Sequence, residues 1–253
     1  MPATPAWPPR SAPRLHVEAD LGTGACVPVE GNAAHYILSV MRAKEGDAVL
    51  LFNGRDGEWA ARASQIRKRD LVLECVEQTK ALETVPDFWL CVAPIKKGRI
   101  DLVVEKATEL GVARIVPVLT ARCVVDRLNG ERLTAQMIEA AEQCGRTTLP
   151  ELAEMTKLDA LLRDWPQGRA LFFADELASE TGSAAMRDAF AGHPGPAAAL
   201  IGPEGGFTRQ ERETLRAHSA TVPIALGPRI LRAETAAIAA TACWMSLNGD
   251  WTD

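Results

Sequence analysis

No apolar run in these 253 residues approaches the ~20 needed to cross a bilayer, so a membrane-spanning helix is not expected. Residues 1–13 are rich in proline and alanine but hold no apolar signal core, which argues against secretion. Cysteine pairs are missing as well. Cys26, Cys75, Cys91, Cys123, Cys144 and Cys243 are scattered without a C-x-x-C, and the four histidines are dispersed. That spacing argues against zinc or any other metal. The cysteines read as reduced, mostly buried thiols of a cytoplasmic protein. Positive charge is in short supply: 28 Lys and Arg stand against 33 Asp and Glu, a net charge of −5. This weighs against a nucleic-acid partner without deciding it, because local patches outweigh totals. Internal repeats are absent too.

What is present falls into two halves. Residues 14–17, 48–52, 58–66 and 71–76 have the short alternating pattern of strands, punctuated by the turn dipeptides Asn53-Gly54 and Asp56-Gly57. One helical stretch, residues 33–41, interrupts them. A β unit of this size is expected to close into a small barrel spanning residues 14–80, behind a flexible tail of residues 1–13. Near residues 81–86 the rhythm changes to alternating strand and helix. Residues 88–93, 114–119, 170–174, 197–201 and 222–226 are short apolar runs. Helical spacing separates them, as in Ile100, Val103, Val104, Ala107 and Leu110. Runs this apolar predict an α/β domain over residues 86–253, with a parallel sheet covered by helices on both faces. The last helix, residues 233–247, is apolar almost all round, so it is buried either within its own domain or against a second copy of the chain.

Two turns stand out. Ile201-Gly202-Pro203-Glu204-Gly205-Gly206-Phe207 follows one apolar run. Leu226-Gly227-Pro228-Arg229-Ile230-Leu231-Arg232-Ala233-Glu234-Thr235-Ala236 follows the next. Ligands of open α/β sheets sit beyond the carboxyl ends of the strands, so these turns are the expected walls of one small-molecule pocket. The first is no phosphate loop of the Walker type, because no Lys-Ser/Thr follows it. It is no G-x-G-x-x-G either, which disfavours a dinucleotide-dependent oxidoreductase. Glu204 would repel a phosphate and suits a cationic or hydrogen-bonding ligand. Thr208 and Glu211 form an expected capping box that fixes the exit of this turn. Basic clusters occur at Arg67-Lys68-Arg69, at Lys96-Lys97-Gly98-Arg99 and at Arg229 with Arg232. Each is either solvated surface or a contact for a polyanion.

The two turns together resemble the signature of the RsmE family, ribosomal RNA small-subunit methyltransferases of the SPOUT superfamily. Further matches are Lys106-Ala107-Thr108-Glu109-Leu110-Gly111-Val112, Arg122-Cys123-Val124-Val125 and Ala140-Ala141-Glu142-Gln143-Cys144-Gly145-Arg146. In the first half, His35, Val40-Met41-Arg42 and Gly46-Asp47 match as well. The similarity runs from Arg14 onward. Cys123, where serine is common, and an extra basic residue in Lys96-Lys97-Gly98-Arg99 are small departures. The resemblance implies a PUA-like barrel that helps grip RNA. It also implies a SPOUT-type α/β domain whose chain forms a trefoil knot at about residues 198–247. S-adenosyl-L-methionine would be bound between the knot loops of a homodimer. The implied activity is methylation of N3 of one uridine in 16S ribosomal RNA, within the small ribosomal subunit.

On this basis the cofactor site is expected at Ile201, Gly202, Pro203, Glu204, Gly205, Gly206, Leu226, Gly227, Ile230, Leu231, Arg232, Thr235 and Ala236. Arg232 or Arg146 is expected to stabilise the uracil anion, with Gln143 and Glu142 on the base edge. RNA phosphates are expected at Arg14, Arg42, Lys96, Lys97, Arg99 and Arg122. His16 and His35 read as packing or cap residues. Two rival readings remain open here: a knotted ribose 2′-O-methyltransferase and a non-catalytic RNA-binding protein.

Overall fold

The structure, a computed structural model, describes residues 7–175 and 183–252. The chain divides into two compact units: Met1–Thr84 with Ala141–Leu149, and Val85–Ala140 with Pro150–Asp253.

The first unit holds β1 (Arg14–His16), β2 (Cys26–Val29), α1 (Gly31–His35), β3 (Ala48–Phe52), β4 (Glu58–Ile66) and β5 (Leu71–Lys80). The strands form one sheet in the order β1-β3-β4-β5-β2, with β1 parallel to β3 and the other pairs antiparallel. Apolar residues alternate along them. Leu71, Leu73 and Cys75 point inward from β5, while Val72 and Glu74 do not. All five strands feed one core, which Ala34 and Ile37 complete, so the sheet curls around it. Register shifts between β4 and β5 supply the bend that this requires. The expected helix at 33–41 is α1 followed by a π-helical turn, Tyr36–Val40. Strand β2 was not expected. Its Pro28 has no N–H to donate, which an edge strand tolerates.

Residues 141–149 belong to this unit, whereas the sequence assigned them to the second domain. Arg14 is the reason. Its guanidinium donates to the carbonyls of Ala141, Glu142 and Arg146, the last two at 3.1 and 2.8 Å. The amide of His16 donates to Glu142 Oε1 at 3.0 Å. Glu83 accepts from the amides of Thr147 and Thr148, each at 2.8 Å. His16 itself packs edge-on against Phe52, and burial lowers its pKa. His35 is exposed.

Asp56 organises the turn after β3. One carboxylate oxygen accepts from the Leu21 amide at 2.9 Å and from Asn53 Nδ2 at 2.7 Å. These bonds, the Leu21 amide first, hold its carboxyl below the ordinary value. The stabilisation is therefore complete above the usual aspartate range and is lost as pH falls through the depressed folded value. Asp56→Ala is expected to lower stability at neutral pH and to remove this part of the acid sensitivity. Chemical unfolding at neutral and acid pH checks this; equal acid sensitivity in both proteins would contradict it.

The second unit contains β6 (Phe88–Val92), α2 (Arg99–Glu109), β7 (Arg114–Leu119), the start of α3 (Gly130–Cys144), β8 (Glu151–Leu152), β9 (Thr156–Lys157) and α4 (Leu158–Arg163). It continues with β10 (Ala170–Ala174), β11 (Ala184–Ala185), α5 (Met186–Ala191), β12 (Ala197–Ile201), α6 (Arg209–Ala217), β13 (Thr221–Ala225) and α7 (Ala233–Asn248). The strand order is β11-β13-β10-β12-β6-β7-β8, all parallel, with β9 also beside β7. Both faces are dry. Phe88, Leu90, Val92, Phe172, Ala199 and Ile201 share one core with α2, α3, α5 and α7. Cys91, Leu171, Phe173, Ala198 and Leu200 share the other with α4 and α6. This is the doubly covered parallel sheet that the apolar runs predict.

Helix α7 packs inside its own unit, against α2, α5 and the sheet. Trp244 stacks on Phe88 at 4.5 Å between centroids, and Ala237, Ala240 and Met245 are buried. Its apolarity is thus largely used within one chain. The cysteines are all free, but only Cys75 and Cys91 are buried, while Cys26 and Cys144 are exposed. Burial pushes the Cys91 thiol up to about 12.

Candidate functional site

Because every strand of the second unit is parallel, the turns after β6, β12 and β13 leave at one edge of its sheet. Residues 202–208 follow β12, residues 226–232 follow β13, and residues 93–98 lead from β6 into α2.

The first turn is rigid. The amide of Gly206 donates to the Pro203 carbonyl at 2.9 Å. Phe207 folds under the turn, with no exposure, and meets Phe173 edge-on at 5.0 Å. Its ring lies so close that a Cβ on Gly202 would fall 2.6 Å from Cε2. The expected capping box is formed by Thr208 and Glu211. Glu211 Oε1 also accepts from the Ala121 amide at 2.7 Å. Arg122 Nη1 donates to the Gly205 carbonyl at 2.8 Å. Ile201 and Pro203 are buried, Gly202 and Gly206 are half-buried, and Glu204 and Gly205 face solvent.

The second turn is more open. Leu226 and Leu231 lean on the core. Gly227 has φ +114°, a region that side chains rarely enter. Ile230 is 88% exposed, the most exposed of the large apolar side chains among the described residues. Arg232 is exposed at the N-cap of α7 and Thr235 is exposed, whereas Ala236 is buried.

Arg99, the first residue of α2, links the first turn to the head of α7, the helix that the second turn enters. Its Nη1 lies 3.4 Å from Glu204 Oε1 in the first. Its Nε lies 3.8 Å from Glu234 Oε1, in the first turn of α7. Glu234 is 9% exposed, and its Oε2 has no hydrogen-bond partner among the described residues.

Several sequence-based assignments change here. Arg14 was expected on RNA phosphate, but it is nearly buried against Glu58 at 2.7 Å and spent on three carbonyls. Arg99 and Arg122 were expected there too; the structure turns both guanidinium groups toward the first loop. Lys96, Lys97 and Arg42 remain exposed, and Arg42 has φ +56°. Arg146 was expected on the uracil anion. It is 5% exposed, with Nε donating to Thr148 Oγ1 at 3.0 Å and lying 3.6 Å from Glu83. Glu142, expected on the base edge, holds the His16 amide. Gln143 is exposed.

Residues 83–245 match the RNA methyltransferase domain family, and residues 29–74 match the RNA methyltransferase PUA domain family. The chain is 35% identical over 230 residues to the ribosomal RNA small subunit methyltransferase E of Rickettsia conorii, covering 90% of this chain and 93% of that one. The chain belongs to the ribosomal RNA small subunit methyltransferase E family. The Bacillus subtilis member is 29% identical over 218 residues, 82% of this chain and 85% of that one. The Neisseria gonorrhoeae member, solved bound to S-adenosyl methionine, superposes with TM-score 0.81 at 29% identity, covering 95% of this chain and 99% of that one.

Sequence reasoning missed the contacts that join Arg99 to Glu204 and Glu234. No local signal marks them, because the contacts join residues more than a hundred positions apart. Phe207 carried a signal: an aromatic directly after two glycines has bare backbone to pack beneath.

Proposed function

We propose that this chain transfers a methyl group from S-adenosylmethionine to N3 of a uridine in 16S ribosomal RNA. The observation that carries the reading is the convergence of two glycine-bearing turns on one sheet edge, joined through Arg99. The residues suit the donor. Nothing lies within 4 Å of where a Cβ on Gly227 would stand, Ile230 offers an apolar surface to a purine, and Glu204 and Glu234 set two carboxylates beside a cationic ligand. Main-chain groups of residues 201–206 and 226–231 would hold it, together with Glu204.

When bound, S-adenosylmethionine supplies the electrophilic methyl group, so the protein's task is placement of the base. Arg232, exposed beside the second turn, stabilises the uracil anion left when the N3 proton departs. Lys96, Lys97 and Arg42 meet RNA phosphates. Neutralising Lys96 and Lys97 together is expected to lower RNA affinity and flatten its salt dependence. A wild-type slope in filter-binding titrations would contradict this. The same reading includes a trefoil-knotted path through residues 198–247, a homodimer using the half-buried face of α7 and action on cytoplasmic small subunits.

The test is chemical. Small ribosomal subunits lacking the modification are incubated with the protein and labelled S-adenosylmethionine, and the digested nucleosides are separated. Label in 3-methyluridine supports the proposal. Label in a ribose-methylated nucleoside, or none, overturns it.

A further inference from the structure

We propose that Arg99 is a positioning residue that clasps the two turns of the donor site, an inference that rests on the reading of those turns given above. The guanidinium uses different nitrogens for its two carboxylates, Nη1 toward Glu204 at 3.4 Å and Nε toward Glu234 at 3.8 Å. A planar fork can serve two acceptors in fixed directions, which the point charge of lysine cannot. Other contacts already brace the first turn: Phe207 from below and Arg122 on the Gly205 carbonyl. Arg99 supplies a link to the α7 side.

Glu234 makes the link consequential. It is 9% exposed with one oxygen unpartnered among the described residues, and its other oxygen faces Arg99. Without that cation a nearly buried carboxylate has lost its nearby charge, and the head of α7 must rearrange to hydrate it. The second turn ends at that helix, so its shape follows. Arg99 is itself 38% exposed, and ion pairs this open contribute little to global stability. The clasp therefore acts on the shape of the site more than on the fold.

Calorimetric titration with S-adenosylmethionine tests this on the full chain. Arg99→Gln is expected to weaken binding roughly tenfold and Glu234→Gln less, with the double variant no weaker than Arg99→Gln alone, as coupled partners require. Arg99→Lys recovers only part of the loss. The thermal midpoint stays close to wild type, and affinity for small-subunit RNA is unchanged. Wild-type donor affinity in Arg99→Gln, or losses that multiply in the double variant, would overturn the clasp. Weaker RNA binding by Arg99→Gln with unchanged donor affinity would return the residue to phosphate contact. If the wild-type protein binds no S-adenosylmethionine, the donor-site reading itself falls.

Discussion

Arg14→Ala is expected to destabilise the first unit by about 3–5 kcal/mol, the penalty for stranding a buried ion-pair partner. Glu58, 2% exposed, would lose the guanidinium at 2.7 Å and keep, among the described residues, Lys80 Nζ at 3.5 Å as its cation. Three backbone carbonyls would lose their donor together, and the Phe52 ring would lose the cation 4.5 Å above it. Segment 141–149 would keep its bonds to Glu83, the His16 amide and Lys80 but lose all those to Arg14. Urea unfolding followed at the first unit's tryptophans measures the loss. A change below about 1 kcal/mol, in the range of an ordinary surface substitution, would return Arg14 to the surface. RNA binding provides the contrast: where Arg14→Ala remains folded, its salt dependence should match wild type.

The second large effect is at Gly202. Alanine there would place a methyl group 2.6 Å from Phe207 Cε2. The ring cannot retreat, because it is fully buried against Phe173. The turn must therefore lift, at about 1–3 kcal/mol for an overpacked site. Lifting it displaces backbone groups that would hold the donor, so Gly202→Ala is expected to weaken S-adenosylmethionine binding by up to about 100-fold while the chain still folds, the affinity equivalent of about 3 kcal/mol if the turn must be pressed back to bind. Binding within threefold of wild type would show that the turn is not part of the site.

Much of the architecture was legible because it rests on local pattern. The runs 88–93, 170–174 and 197–201 are apolar on both faces, and a sheet covered on both sides is the arrangement that satisfies them. The turn at residues 202–207 announced itself through glycines, a proline and a capping box. Other features left no local trace. Arg14, Arg99 and Arg122 look like any solvent-facing arginines in sequence, yet Arg14 is nearly buried and Arg99 and Arg122 turn toward the first loop, because their acceptors come from distant segments. The return of residues 141–149 to the first unit has the same origin. Helix α7 shows a different ambiguity: apolarity all round says that a helix is covered, not by what, and here α2 and the sheet do most of the covering. Strand β2 was hidden by its length and by Pro28.

Everything functional depends on where the methyl donor sits. A crystal structure of this protein grown with S-adenosylmethionine measures that directly. Density is expected for the donor held by main-chain groups of residues 201–206 on one side and 226–231 on the other, with Arg99 still between Glu204 and Glu234. Density lodged at another part of the sheet, or turns that share no ligand, would contradict this placement.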